Sequence, residues 1–366
     1  MSSDLIIGIV VAAAFVFAFT NGFHDTLDLI STAVSSGAAP QVAIAAAAFL
    51  NLVGAFISLE VAATIAHDVV TAADITPAVV FAGLIGAIAW NLATWWLGLP
   101  SSSSHALIGG VVGAAVAAGG TDAVVGGGLL DKVLLPALAA PVVAFAVAGV
   151  LIVLAYLLFG RRRPGPVARG FRSAQAISGG LLALAHGAND VQKTTGIITL
   201  ALIANGTLSA TADPPFWSIA APALALALGT YCGGWRILRA TGARIIKMDA
   251  AQGFSAQCGG AVTILVATFL GFPISTTHAI NGGVMGAGTV KRVSAQRWGI
   301  AGNIVTAWVL TLPAAAAIGA LVYGVTRIFG TGALGPVLVT LASLLLVIAL
   351  FARRSQRGAP VPASSG

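Results

Sequence analysis

Long apolar runs alternate with short polar breaks along the whole chain, as at residues 5–19 and 334–351. A run of about 18 or more apolar residues is long enough to cross a bilayer as a helix. On this pattern the sequence predicts spans at 4–36, 41–66, 77–99, 130–159, 174–204, 216–240, 251–272, 298–327 and 334–352. Polar residues inside 4–36 and 174–204 predict that these two are interrupted. Two shorter stretches, 100–119 and 273–290, begin polar and continue apolar. The fold class read from this is all-α: a polytopic membrane protein.

The polar breaks divide the chain. The segment "GRRRPGPVARGFR" at 160–172 puts arginines and prolines between two apolar blocks. The division is 1–159, a first transmembrane repeat; 160–173, a basic cytoplasmic linker; 174–330, a second transmembrane repeat; 331–352, an extra helix; and 353–366, a disordered tail.

Composition narrows the class. Of 366 residues, 58% are hydrophobic and 8% charged, against about 25% charged in a soluble domain. Forty-five glycines suit close helix packing in lipid. The net charge of +7 is held in loops: Arg161–Arg163, Arg169 and Arg172; Arg236, Arg239, Arg244 and Lys247; Lys291, Arg292 and Arg297; and Arg353, Arg354 and Arg357. Basic patches flanking spans mark cytoplasmic loops and not a nucleic-acid surface. Cys232 and Cys258 lie in apolar segments, which suggests neither a disulfide framework nor a thiol metal site. The first segment lacks a basic leader and reads as a retained span.

The two halves repeat one another. "NGFHDTLDLIST" at 21–32 lines up with "HGANDVQKTTGI" at 186–197, and "PSSSSHALIGG" at 100–110 with "PISTTHAINGG" at 273–283. Two motifs recurring in the same order imply an internal duplication. If the basic loops are inside, each half crosses five times, counting 100–119 and 273–290 as crossings. An odd number of crossings inverts the halves relative to each other. Inverted repeats with interrupted or re-entrant helices are a transporter design, with the site near the midplane.

The serine runs suit such a site. A hydroxyl cluster before a small-residue run reads as a helix start with Ser or Thr as N-cap. A helix N-terminus offers free N–H groups and a positive partial charge, which attract anions. Ser101, Ser102, Ser103, Ser104, Ser275, Thr276 and Thr277 are the candidate anion ligands, with Lys193 as a positive charge near the anion. The competing reading is that small hydroxyl residues simply let helices approach closely.

Ionisable residues inside spans are rare and mark function. The first half places His24, Asp25, Asp28 and Glu60 there, the second His186, Asp190 and Lys193. Asp25 and Asp28 share a helix face, as do Asp190 and Lys193. Asn21, His24, Asp25, Asp28 and Asp190 are the candidates for cation coupling. Aspartates can bind Na⁺ beside carbonyl and amide oxygens, or carry H⁺ when desolvated. His67 falls in a predicted loop. His105 and His278 stand at matching positions and could serve as ligands, proton carriers or packing residues.

These residues carry a resemblance. "GANDV" at 187–191 resembles the signature of the inorganic phosphate transporter (PiT) family, GANDVANA, which occurs once in each half; "GFHDTLDL" at 22–29 resembles the bacterial variant of the first copy. The two Ser/Thr-His segments also match that family, and the resemblance spans about residues 5–330. It implies import of inorganic phosphate by cation symport through alternating access, in a bacterial inner-membrane protein, and maps the phosphate site onto Ser101–Ser104, Ser275–Thr277, Asn189 and Asp190 and the cation-linked acids onto Asp25 and Asp190. Departures from the signature are His24, Leu27, Asp28, Gln192 and Lys193. Loss of the asparagines and gain of a lysine favour H⁺ over Na⁺, as in the low-affinity proton-coupled members. Na⁺-coupled phosphate transport and a sulfate permease are the alternatives. A divalent metal complexed to phosphate and a homodimer are expectations of the resemblance alone; no other cofactor is expected.

Other classes fit less well. Ser104 and His105 are adjacent and project about 100° apart on a helix, a poor catalytic dyad, and there is no Gly-x-Ser-x-Gly elbow. The chain is therefore not expected to be an enzyme. No nucleotide-binding Gly-x-x-x-x-Gly-Lys-Ser/Thr occurs, so the energy source is a gradient. An anion channel could use helix N-termini and hydroxyls, but paired acids do not help it conduct anions.

Overall fold

The computed structural model describes the backbone of residues 2–35, 40–71, 75–97, 99, 101–241, 248–290 and 298–357. It describes side chains over 4–26, 41–71, 75–97, 99, 101–233, 248–290 and 306–349. Pro100 and the side chains of Asp28, of the basic clusters at 236–247 and 291–297 and of the 353–366 tail lie outside the described residues.

The described residues are predominantly helical, without a strand: α1 (Ser2–Ser35), α2 (Pro40–Gly54), α3 (Glu60–His67), α4 (Pro77–Leu97) and α5 (Ser103–Gly119). A short turn, α6 (Gly126–Gly128), and a π-helical stretch (Leu129–Leu134) lead into α7 (Leu135–Phe159). The second half holds α8 (Pro164–Ala204), α9 (Phe216–Thr241), α10 (Ala250–Phe269), α11 (Thr276–Thr289), α12 (Trp298–Ile328) and α13 (Leu334–Arg357). Among the described residues, five helical segments are long and apolar enough to cross a membrane: Asp4–Thr26, Pro77–Leu97, Gly126–Phe159, Phe216–Gly233 and Thr306–Ile328. Leucines such as Leu138, Leu157, Leu158 and Leu321 point outward, as a lipid-facing surface requires. The chain is a multi-pass membrane protein.

Three expectations are corrected. Residues 4–36 and 174–204 were predicted to be interrupted, yet α1 and α8 are continuous helices. The break falls instead within 41–66, where 55–59 separate α2 from α3. The basic linker is largely helical: only Gly160–Arg163 stands between α7 and α8, and Pro164 begins α8 at a first-turn position where its missing N–H costs nothing.

Helix α8, at 41 residues, would be about 60 Å long, twice the hydrocarbon thickness. Its outer turns hold exposed Arg169 and Arg172. Further along it passes through two apolar cores. Leu182, Ala183 and Ala185 join one core with Ile44, Ala144, Ile264 and Ile280. Ile197, Ile198 and Leu200 join the other, with Phe17, Phe81, Leu84, Leu107 and Ile108. The polar stretch 186–195 lies between these cores and is buried.

The halves repeat in their packing and exchange partners. Helix α5 packs on α4 and on α12 of the other half; α11 packs on α10 and on α7 of the other half. A Cβ added at Gly109 or Gly113 would lie 2.4 or 2.0 Å from the carbonyl oxygens of Leu312 and Ala316. At Gly282 or Gly286 it would lie 2.3 or 2.2 Å from those of Pro141 and Phe145. The same contact is thus made twice, each time across the halves, and only glycine admits it. The isolated bridge Val70–Val124 brings the end of α5 beside the loop before α4, so α5 runs back along α4. The ends of α7, α8, α10 and α11 meet at Ile152, Phe171, Met248 and Ala287, which groups the linker and the 248–249 turn at one end of the bundle.

Candidate functional site

The starts of α5 and α11 meet the middles of α1 and α8. Each short helix opens with a hydroxyl N-cap: Ser102 Oγ accepts from the His105 N–H at 3.1 Å, and Ser275 Oγ from the His278 N–H at 3.3 Å. Satisfying an orphan N–H in this way stabilises a helix start by about 1 kcal/mol. The two starts touch: Ser104 Oγ donates to the Ile274 carbonyl at 3.1 Å, and the His105 and His278 rings stand edge-on, 4.8 Å between centroids. His278 also stacks on Trp308 at 3.8 Å.

Asp25 and Asp190 occupy the centre, both buried. Ser103 Oγ donates to Asp25 Oδ2 at 3.0 Å and is 2.7 Å from Asn21 Oδ1. Thr277 Oγ1 reaches Asp25 Oδ1 at 3.5 Å, and His24 Nδ1 lies 2.9 Å from the same oxygen. Asp190 Oδ2 accepts from Asn21 Nδ2 at 3.2 Å and from Thr276 Oγ1 at 3.3 Å. His186 Nε2 sits 3.6 Å from Asp25 Oδ2 and 3.2 Å from Asp190 Oδ2, while its Nδ1 faces Asn51 Oδ1 at 3.1 Å. Lys193 Nζ meets Asp190 Oδ1 at 2.5 Å.

Every carboxylate oxygen of both aspartates therefore has a donor. Buried charges persist only when paired and hydrogen-bonded, and this cluster meets that condition without an added ion. Asp25, His186 and Asp190 nevertheless present three potential metal-ligand atoms within 4.8 Å of one another.

The predicted residues divide by position. Asn21, His24, Asp25, Ser103, Ser104, Thr276, Thr277, Asp190 and Lys193 come together. Ser101 turns aside to Thr94 at 2.7 Å, and Ser102 and Ser275 spend their hydroxyls on capping. Asn189 faces away, donating to Thr268 Oγ1 at 2.9 Å and to the Phe272 carbonyl at 3.1 Å. Gln192 donates to the Ala55 carbonyl. Glu60 and His67 are exposed at the two ends of α3.

His186 and Asn51 complete the cluster but were not among the chosen ligands. A signal for His186 was in the motif: "NGFHD" and "HGAND" exchange Asn and His between the same two positions. Asn21 thus matches His186, and His24 matches Asn189. Asn51 had no comparable mark, since α2 carries neither motif. Gly22 and Gly187 serve packing: a Cβ there would lie 2.1 Å from the Leu226 oxygen and 2.0 Å from the Asn51 oxygen.

Comparison with known proteins shows the family. The model of the phosphate transporter family (PHO4) matches residues 21–319. The "Probable low-affinity inorganic phosphate transporter" of Mycobacterium tuberculosis (strain ATCC 25618 / H37Rv) is 48% identical over 324 residues, 88% of this chain and 78% of that one. The protein of the same description from Rhizobium meliloti is 47% identical over 325 residues, 88% of this chain and 97% of that one. That of Bacillus subtilis is 41% identical over 318 residues, 86% and 95%. A solved structure described as "The sodium-dependent phosphate transporter" superimposes with a TM-score of 0.80 at 25% identity, covering 88% of this chain and 99% of that one.

Proposed function

The chain belongs to the phosphate transporter family, and we propose that it imports inorganic phosphate by symport with protons. Alternating access is carried by two repeats of opposite membrane orientation, with the anion held between them. The enzyme reading falls with the family assignment, because the family and the relatives are transporters.

One observation carries the proposal. The donors that suit a tetrahedral oxyanion are already in use by Asp25 and Asp190: the hydroxyls of Ser103, Thr276 and Thr277 and the Asn21 amide, with His186 Nε2 3.2 Å from Asp190. An incoming phosphate competes with two carboxylates for the same N–H and O–H groups, and is repelled by their charge. Protonating the carboxylates removes the repulsion and releases the donors. Anion and proton then each favour the other's binding, the reciprocal linkage that symport requires. A carboxylic acid also donates, and so can hydrogen-bond the anion it previously excluded.

Sodium would neutralise the carboxylates too, and the superimposed structure is described as sodium-dependent. Two features argue against a Na⁺ cage here. Each carboxylate oxygen already faces an N–H or O–H group. In the second copy Gln192 turns its amide to the Ala55 carbonyl and Lys193 brings its own positive charge to Asp190.

The test is labelled phosphate uptake into proteoliposomes under an H⁺ gradient or a Na⁺ gradient, with excess unlabelled sulfate. Proton-driven uptake resistant to sulfate is the expected result. A requirement for Na⁺ would replace the coupling ion. Movement of sulfate instead of phosphate would replace the substrate.

A further inference from the structure

We infer that the ammonium of Lys193 fills a monovalent-cation site, as a tethered ion in place of a free one. The side chain is fully buried. Its Nζ is held by three oxygens of three kinds: the Asp190 carboxylate at 2.5 Å, the Ser104 hydroxyl at 2.5 Å and the Ile274 carbonyl at 2.7 Å. An ammonium has three N–H donors, and each finds one acceptor.

The cage has the character of an ion site. Carboxylate, hydroxyl and main-chain carbonyl are the oxygens that hard cations take, at about 2.3–2.6 Å for Ca²⁺. The Ile274 carbonyl is available because residues 271–275 run outside helix, between α10 and the Ser275 cap of α11. Unwound carbonyls beside a helix start are where transporters hold coupling ions. The three ligands come from α8, α5 and the α10–α11 connection, so the cage closes only when both short helices sit against α8.

The tether is confined to one half. The position of the first motif that matches Lys193 is Asp28, of opposite charge. A covalent cation cannot leave with the substrate. This place therefore contributes no ion to the stoichiometry. Taking the lysine away leaves one anionic and two neutral oxygens around a gap of ionic size, which a small monovalent cation would enter.

This inference deepens the proton reading but is tested apart from it, with neither phosphate nor a gradient. Purified wild type, Lys193→Ala, Lys193→Asn and Lys193→Met are melted in detergent at constant ionic strength, with Na⁺ exchanged for choline. Lys193→Asn offers the ion a fourth oxygen, and Lys193→Met fills the gap without charge. Lys193→Ala and Lys193→Asn should gain a Na⁺-dependent rise in Tm of about 5 °C over any Na⁺ effect in wild type, and Lys193→Met should not. Recovery of Lys193→Ala in Na⁺ but not in choline would support the tether equally. Melting and recovery of both variants that are no more sensitive to Na⁺ than wild type would overturn it, whatever ion drives uptake. Conversely, failure of proton-driven uptake would defeat the coupling proposal and leave the tether standing.

Discussion

Asp25 and Asp190, from matching motifs in the two halves, share one imidazole: His186 Nε2 lies 3.6 Å from the first and 3.2 Å from the second. The two carboxylates are therefore parts of one buried hydrogen-bonded unit. A charge change on either is felt by the other through His186, Asn21 and Ser103, all within its reach.

If the carboxylates are the proton-carrying competitors of the anion, Asp190→Asn and Asp25→Asn should cut gradient-driven phosphate uptake at least tenfold. Phosphate binding to the purified variants, measured by calorimetry from pH 5 to pH 8, should become less pH-dependent than in wild type. Normal gradient-driven uptake by both would remove them from coupling.

The hydroxyls are not equivalent. Ser103 and Thr276 donate to the carboxylates, whereas Ser101 is paired with Thr94. A hydrogen bond to a charged group contributes about 1.5–3 kcal/mol, or roughly 10- to 100-fold. Ser103→Ala and Thr276→Ala should weaken phosphate binding on that scale, and Ser101→Ala by less than about threefold. Equal effects at all three would show that the hydroxyls act only in packing.

The Asp190–Lys193 pair lends itself to a double-mutant cycle. Asp190→Ala alone strands a buried ammonium and should destabilise the protein by about 3–5 kcal/mol. Combining it with Lys193→Met should restore much of that loss, read as a coupled shift in thermal melting. Additive losses would mean that the two charges do not depend on each other.

Glycine contacts between the halves predict a sharp positional contrast. Gly113→Ala and Gly286→Ala drive a methyl into a carbonyl oxygen, which overpacking puts at about 3 kcal/mol or more. Gly8→Ala and Gly324→Ala have nothing within 4 Å and should melt as wild type. Yield and Tm of the four proteins side by side decide the matter.

The basic linker sets the orientation. With Cys232 and Cys258 replaced by serine, a cysteine at Ser209, exposed beyond the end of α8, should react with impermeant maleimide in intact cells. A cysteine at Arg162, exposed at the other end, should react only after permeabilisation. The reverse pattern would invert the topology.

Much of this could be read from the sequence, and the misses have physical reasons. That helices begin after Pro100 and Pro273 followed from hydroxyls preceding small apolar residues. Which serine would cap and which would face Asp25 did not, because that depends on the phase of a helix whose first residue was unknown. The polar motifs predicted breaks in α1 and α8, since polar residues within an apolar span usually mark irregular backbone. Here Gly22 and Gly187 make room for neighbouring carbonyls, and the polar side chains pair between helices, so the backbone stays helical. Conversely, 41–66 read as one span because nothing but apolar residues and a single serine marks the break at 55–59. Asn51 was silent for a related reason: a lone Asn in an apolar helix acquires meaning only when His186 arrives opposite it.

The exchange of partners between halves also bears on how the chain is made. Gly109 and Gly113 of α5 are shaped for Leu312 and Ala316, which leave the ribosome roughly 200 residues later. At about 5–20 residues per second, α5 waits some 10–40 s in the bilayer beside α4 with one wall of its groove missing. Helix α7 waits likewise for Gly282 and Gly286. The first half cannot be completed on its own, so a ribosome that stalls at the linker leaves behind an unfinished membrane protein and not a smaller finished one.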